Sequence, residues 1–172
     1  MTTNSKANDN TKFDVGQYIV YPAHGVGSVV GIETETIAGF DIEVYVVSFE
    51  QDKMMLRVPT KKASASGMRP LASTTVVRDA LKTLKGRARI KRTMWSRRAQ
   101  EYEAKINSGD LISIAEVVRD LHRSEDQPEQ SYSERQLYES ALDRMVREVA
   151  AVENIDRDSA MEKLSKSLIK AA

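Results

Sequence analysis

From Phe13 to about Pro59, apolar residues recur at every second position in short runs, the period of half-buried strands. Tyr18-Ile19-Val20-Tyr21 is the first run, stopped by Pro22, which has no N–H to give a ladder. Val26 to Thr34 is the second. Ile37-Ala38-Gly39-Phe40 reads as a turn with Gly39 as its flexible member. In the run Ile42 to Phe49, Ile42, Val44, Val46 and Ser48 fall on one face and Glu43, Tyr45, Val47 and Phe49 on the other. Glu50 to Lys53 connects this run to Met54–Val58. Strands this short, joined by tight turns, predict a small curled antiparallel sheet or barrel.

The period changes after Lys62–Gly67, an Ala- and Ser-rich stretch read as a linker. Ser73 or Thr74 caps a helix whose apolar positions Val76, Val77, Ala80, Leu81 and Leu84 share a face, with Gly86 as its stop. Thr93 is the expected cap of the next helix, which carries Trp95, Ala99, Tyr102 and Ile106 and runs to Gly109. Asp110 caps Leu111–Leu121, and Ser133 with Gln136 gives a capping-box signature for Glu134–Val152. Asp156 opens a last helix with Ala160, Met161, Leu164 and Leu168 on its apolar side, and the stretch between Arg123 and Tyr132 is a polar loop. The fold class is α+β: a small N-terminal barrel followed by a bundle of about five helices. Residues 1–12 are expected as a disordered tail, 13–68 as the β domain and 69–172 as the helical domain.

Charge sharpens this division. The 172 residues carry a net charge of +1, yet Ala80 to Gln100 holds Lys82, Lys85, Arg87, Arg89, Lys91, Arg92, Arg97 and Arg98 with no acid among them. The rest of the chain is correspondingly acidic, and Phe13–Pro59 has only Lys53 and Arg57 against seven acids. A concentrated cationic segment on an acidic protein suits phosphate neutralisation with counterion release; the plainer reading is a solvated face that complements the acidic remainder. With Gly86 as a stop and Thr93 as a cap, Arg87, Arg89, Lys91 and Arg92 fall on a loop free to track a backbone.

Trp95, the single tryptophan, sits among these cations. A flat apolar ring in a cationic rim is suited to wedging at a base step in the minor groove. Its stripe with Ala99, Tyr102 and Ile106 equally suits a core position. The β-region offers a different surface: Tyr45-Val46-Val47 and Met55-Leu56-Arg57-Val58-Pro59 lie on strands of a small sheet whose edge could accept a partner strand, although alternation sends about half of them inward.

Other chemistry finds little support. The chain has no cysteine, which removes disulfides, zinc–thiolate sites and thiol catalysis, and His24 and His122 have no metal-ligand spacing. Tyr21 to Gly27 lacks the Lys-Ser/Thr pair of a phosphate loop and reads as a β-turn, with His24 as a turn hydrogen-bonder. Neither an enzyme nor a cofactor is expected. No apolar run is long enough to span a membrane and the N-terminus has no secretory core, so a cytoplasmic monomer is expected.

The run Val15-Gly16-Gln17-Tyr18-Ile19-Val20-Tyr21-Pro22-Ala23-His24-Gly25-Val26-Gly27 resembles the opening of CarD/CdnL proteins. That motif is shared with the polymerase-binding module of transcription-repair coupling factors. Leu56-Arg57-Val58-Pro59, Trp95-Ser96-Arg97-Arg98, Ser108-Gly109-Asp110 and Ala115 to Leu121 extend the resemblance from about Phe13 to the final helix, and the helical half singles out CarD/CdnL.

The resemblance implies a Tudor-like barrel that binds the lobe and protrusion region of the RNA polymerase β subunit. It also implies a helical domain on promoter DNA at the upstream edge of the transcription bubble, stabilising the open complex. Trp95 would then wedge into the minor groove while Arg97 and Arg98 hold the backbone. Arg57 and Pro59 would face the polymerase, with Met55 and Val46 or Val47 beside them. Glu35 and Gln100 depart from the basic residues of some members. Lys85 to Arg92 is more basic than the family leads one to expect, so Arg87, Arg89, Lys91 and Arg92 are candidate extra phosphate contacts. The rival reading is a free-standing RNA- or DNA-binding protein that acts without polymerase.

Overall fold

The computed structural model describes residues 12–124 and 126–169; the tail expected over residues 1–12 lies outside them apart from Lys12. Strands β1 (Tyr18–Tyr21), β2 (Gly25–Ile37), β3 (Phe40–Phe49), β4 (Met54–Pro59) and β5 (Arg69–Pro70) form one antiparallel sheet in the order β4-β3-β2-β1-β5. The long β2–β3 hairpin turns through Ala38 (φ 52) and Gly39 (φ 81), both left-handed, which matches the twist of the flanking strands.

The sheet is not closed: of the small curled sheet or barrel expected from the short strands, the described residues form an open antiparallel sheet. A two-residue β5 is too short to close it, leaving β4 and β5 as edges. Two local expectations also change. The Lys62–Gly67 segment is no solvated tether: its turns bury Ala63 and lead to buried Met68, both packed in the sheet's core with Phe13, Ile19, Tyr45, Val47 and Phe49. β5 itself was not expected, because a proline fits only a strand edge or end, and Arg69–Pro70 pairs with β1 there.

Helices α1 (Thr74–Leu84), α2 (Trp95–Asn107), α3 (Leu111–Leu121), α4 (Tyr132–Glu153) and α5 (Arg157–Ile169) enclose a second core. Ser73 caps α1 and Asp110 caps α3 through their side-chain oxygens, and Asp156 Oδ1 accepts the Ser159 N–H before α5. Two caps differ from expectation. Thr93 lies one residue too early to cap α2: Met94 holds the position and offers no side-chain acceptor. α4 starts ahead of Ser133, with Ser131 Oγ accepting the Glu134 N–H at 3.3 Å.

The sheet and the helices meet at a polar joint around the Pro22 turn. The Arg144 guanidinium of α4 donates to Pro22 O (2.8 Å), Ala23 O (2.8 Å) and Ile106 O (3.0 Å). Arg69 grips Glu148 at 2.7 and 2.8 Å and also donates to Gly109 O, while Glu148 accepts the Ala72 N–H. Gly109 is required here on two grounds: its φ is +74, and a Cβ would come within 3.0 Å of the Pro22 backbone. Glu148 is 2% exposed, and both of its oxygens accept from these donors.

Candidate functional site

The cationic segment runs from the end of α1 into α2 without regular structure between Gly86 and Met94. Arg87, Arg89, Lys91, Arg92 and Arg97 are all exposed, and Arg98 is half-buried. The loop is pinned from inside by buried Asp120, which accepts the Arg89 N–H and Arg119 Nε, both at 2.9 Å. Arg89, Lys91 and Arg98 line one narrow cleft of about 60 Å³ with Tyr102, Lys105 and the two acids Glu101 and Asp120. Arg87 stands apart from them, in a different groove with Arg119, His122 and Arg123. Lys91 makes a long, exposed pair with Glu101 at 3.4 Å, too weak a tie to neutralise it in water.

Trp95 opens α2 half-buried. One side of the residue packs against the helical core; its Nε1 donates to Ser133 Oγ at 3.0 Å, and the Arg98 guanidinium lies 5.3 Å from the ring centre. The displaced cap explains the serine's role. With Ser131 capping α4, the Ser133 hydroxyl is left free to hold the indole. Sequence reasoning missed Met94, which at 78% exposure is the most open apolar side chain in the segment; its signal is that it falls off the stripe of Trp95, Ala99, Tyr102 and Ile106. The uncapped start of α2 leaves first-turn N–H groups beside it, a setting favourable to anions.

On the sheet, alternation and register place Met55, Arg57 and Pro59 of β4 on one face with Val46 and Val44 of β3. Val47 belongs to the opposite face, fully buried in the sheet's core; Val46 shares the Arg57 face but is itself buried, at 5% exposure, so Met55 and Arg57 are the open side chains there. β3 is also flanked on both sides; the edge open to a partner strand is β4. Met55 is 66% exposed there. Arg57 bridges Glu35 and Glu33 across the sheet, and its hydrogen bond to Glu35, followed by the charges of Glu35 and Glu33, raises its pKa.

Tyr21 to His24 is a turn closed by the His24 N–H on Tyr21 O, with the His24 ring stacked on Tyr21. Among the described residues no group of acids and histidines could hold a metal ion, and no helix is long and apolar enough to cross a membrane.

Residues 79–165 match the family described as CarD, C-terminal domain, and residues 13–72 match the CarD-like/TRCF RID domain. The chain is also similar to "Putative transcription factor YdeB" of Bacillus subtilis (strain 168), 27% identical over 143 residues that cover 83% of this chain and 94% of that protein. With the sheet and the helical half each matched by a CarD domain, the chain belongs to the CarD/CdnL family of transcription regulators.

Proposed function

We propose that this regulator binds the lobe and protrusion region of the RNA polymerase β subunit and stabilises the open promoter complex. Residues 13–68 supply the polymerase contact, through the β4 edge and the face of Arg57, Pro59, Met55 and Val46. Residues 69–172 supply the DNA contact at the upstream edge of the bubble. There Trp95 and the neighbouring Met94 enter the minor groove, while Arg97, Arg98, Lys91, Arg92, Arg89 and Arg87 hold phosphates. It acts as a cytoplasmic monomer.

The observation that carries this reading is the segment itself: apolar Trp95 and exposed Met94 set in a surface of cations with no acid between Ala80 and Gln100. Apolar wedges in the minor groove need such a rim, because unstacking costs a few kcal/mol that phosphate contacts must offset. The half-buried Trp95 suits both earlier readings of it. Its packed side and the bond to Ser133 orient the ring, leaving its remaining surface for the groove. No base-specific contact is required, and the mechanism is differential affinity: each factor of ten between open and closed complexes is worth about 1.4 kcal/mol.

The test is the lifetime of open complexes formed by the cognate polymerase on a ribosomal promoter, without the protein, with it, and with Trp95→Ala. A longer lifetime that Trp95→Ala abolishes supports the reading, and Trp95→Phe, which keeps the packed ring, separates loss of the wedge from loss of folding. No lengthening with the wild-type chain overturns it in favour of a polymerase-independent nucleic-acid binder.

A further inference from the structure

The Pro22 turn has no part in the contacts assigned so far, yet Arg144 of α4 holds it firmly. The guanidinium donates to Pro22 O and Ala23 O in the turn and to Ile106 O in the last turn of α2. Carbonyls at that end of a helix have no partner within it, so Ile106 O is free to accept. The stem of Arg144 lies against the same turn, where a Cβ on Gly25 would stand 3.6 Å from its Cγ. One side chain thus joins the sheet, α2 and α4. Four residues further along α4, Glu148 adds its grip on Arg69 of β5.

A second bond ties the same two helices at their other end. Trp95, the first residue of α2, donates through Nε1 to Ser133 Oγ near the start of α4. Both bonds join residues 38 positions apart, so the step from Trp95 to Ile106 equals the step from Ser133 to Arg144. The helices therefore run in the same direction, tied at both ends of one shared stretch. At the usual helical rise that stretch is about 16 Å long. Tyr102 and Ile106 of α2 and Ala141 and Met145 of α4 lie buried in one core along it. A single tie would let one helix pivot on the other; two ties fix their register.

We infer that α2 and α4 form a braced frame that carries the position of the sheet to Trp95, with Arg144 and Ser133 as its positioning residues. This rests on the reading above, in which the sheet takes the polymerase and Trp95 takes DNA. The frame presents the ring at one place relative to the polymerase. Two sites joined by a connection of matching span raise each other's effective concentration, and that gain falls as the connection loosens. A ring already in place also avoids the cost of being ordered on binding. Arg144 directs its donors at three carbonyls inside the molecule and needs to touch neither partner.

The experiment uses the full-length chain, which has no cysteine of its own. Nitroxide labels on Lys61→Cys beside the sheet and Gln100→Cys on α2, both exposed positions, report the distance between the two halves by pulsed electron–electron double resonance. Unlabelled proteins are compared for affinity to the cognate polymerase, affinity to a DNA bubble, and open-complex lifetime. Arg144→Met keeps the stem and removes the donors. It should broaden the distance distribution and cut the gain in lifetime at least about threefold, with each separate affinity within about twofold of wild type. Arg144→Lys, with one ammonium in place of the fork, should fall between. Ser133→Ala frees the ring alone, so lifetime should fall while the distribution stays narrow. Circular dichroism melting checks that each variant is folded at the assay temperature. A narrow distribution in Arg144→Met overturns the inference, and so does a broad one with lifetime intact. A fall in lifetime matched by an equal fall in either separate affinity overturns it as well. If the wild-type chain does not lengthen the lifetime, the functional reading fails and the inference falls with it, whatever the distances show.

Discussion

The arm between β2 and β3 and the loop between α1 and α2 present the same device with opposite surroundings. Each holds an apolar side chain away from any core, Phe40 at 73% exposure and Met94 at 78%. Phe40 has Asp41 beside it and Glu35 and Glu43 further along the hairpin; Met94 lies in a segment with Lys91, Arg92, Arg97 and Arg98. An apolar contact is non-directional and carries no address of its own. The charge around it decides whether a basic protein surface or a phosphate backbone can approach. Neither side chain belongs to a hydrophobic cluster; the sheet and the helices each have their own, and the joint of Arg69, Arg144 and Glu148 ties the two together.

Breaking the joint should give the largest effect. Glu148→Ala removes a buried carboxylate that accepts from both Arg69 and the Ala72 N–H, leaving those donors without it. Loss of one partner of such a pair costs about 3–5 kcal/mol, toward the lower end here because Arg69 keeps some exposure. Urea unfolding should show the lower stability, with the single transition splitting into separate steps for sheet and helices. An unchanged midpoint would mean the two regions are held together by something other than this pair.

Charge at the loop comes next. Lys91→Ala with Arg92→Ala should lower affinity for bubble DNA about tenfold at low salt and reduce the slope of log affinity against log salt by about 2, the loss of two phosphate contacts. Polymerase affinity should not move. A salt slope equal to that of wild type would remove these two residues from the DNA surface and leave Arg97 and Arg98 to carry it. A fall in polymerase affinity would instead break the assignment of one partner to each region.

The same two regions show what a sequence discloses. The hairpin is legible because its signals are local: alternation on both sides of Ala38-Gly39, where a two-residue turn demands left-handed backbone. Ser73, Asp110 and Asp156 act within three residues of themselves and are equally plain. Thr93 and Ser133 misled because a cap is recognised by residue type, whereas its place depends on where tertiary packing starts the helix. The Arg144 bonds to Pro22 and Ala23 join residues more than 120 positions apart, and no local pattern announces them. The link from Trp95 to Ser133 is hidden in the same way. The cationic segment was visible by composition; that Asp120 pins it and that Met94 projects from it were not.

Protonation of His122 should give the smallest effect, and it bears on the helical region alone. Burial lowers the pKa of this histidine, and the neighbouring charge of Arg123 lowers it further. His122 Nδ1 and the Tyr138 hydroxyl share a hydrogen bond at 3.0 Å, and burial raises the pKa of that hydroxyl, keeping it protonated. The unfolded chain takes up a proton as pH falls through about 6.5, while the folded chain resists it to lower pH. Stability is therefore full above that value and declines as pH drops through the folded pKa. Asp156, held below the usual carboxylate range by the Ser159 N–H and hydroxyl, adds its own loss only under more acidic conditions. Between pH 7.5 and 5.5 the thermal midpoint should fall by about 1–3 °C more in wild type than in His122→Gln. Any polymerase binding through the sheet should not share this dependence, because His122 lies in the helical groove with Arg87 and Arg119. Equal pH slopes in the two proteins would show that His122 is protonated as easily in the fold as outside it.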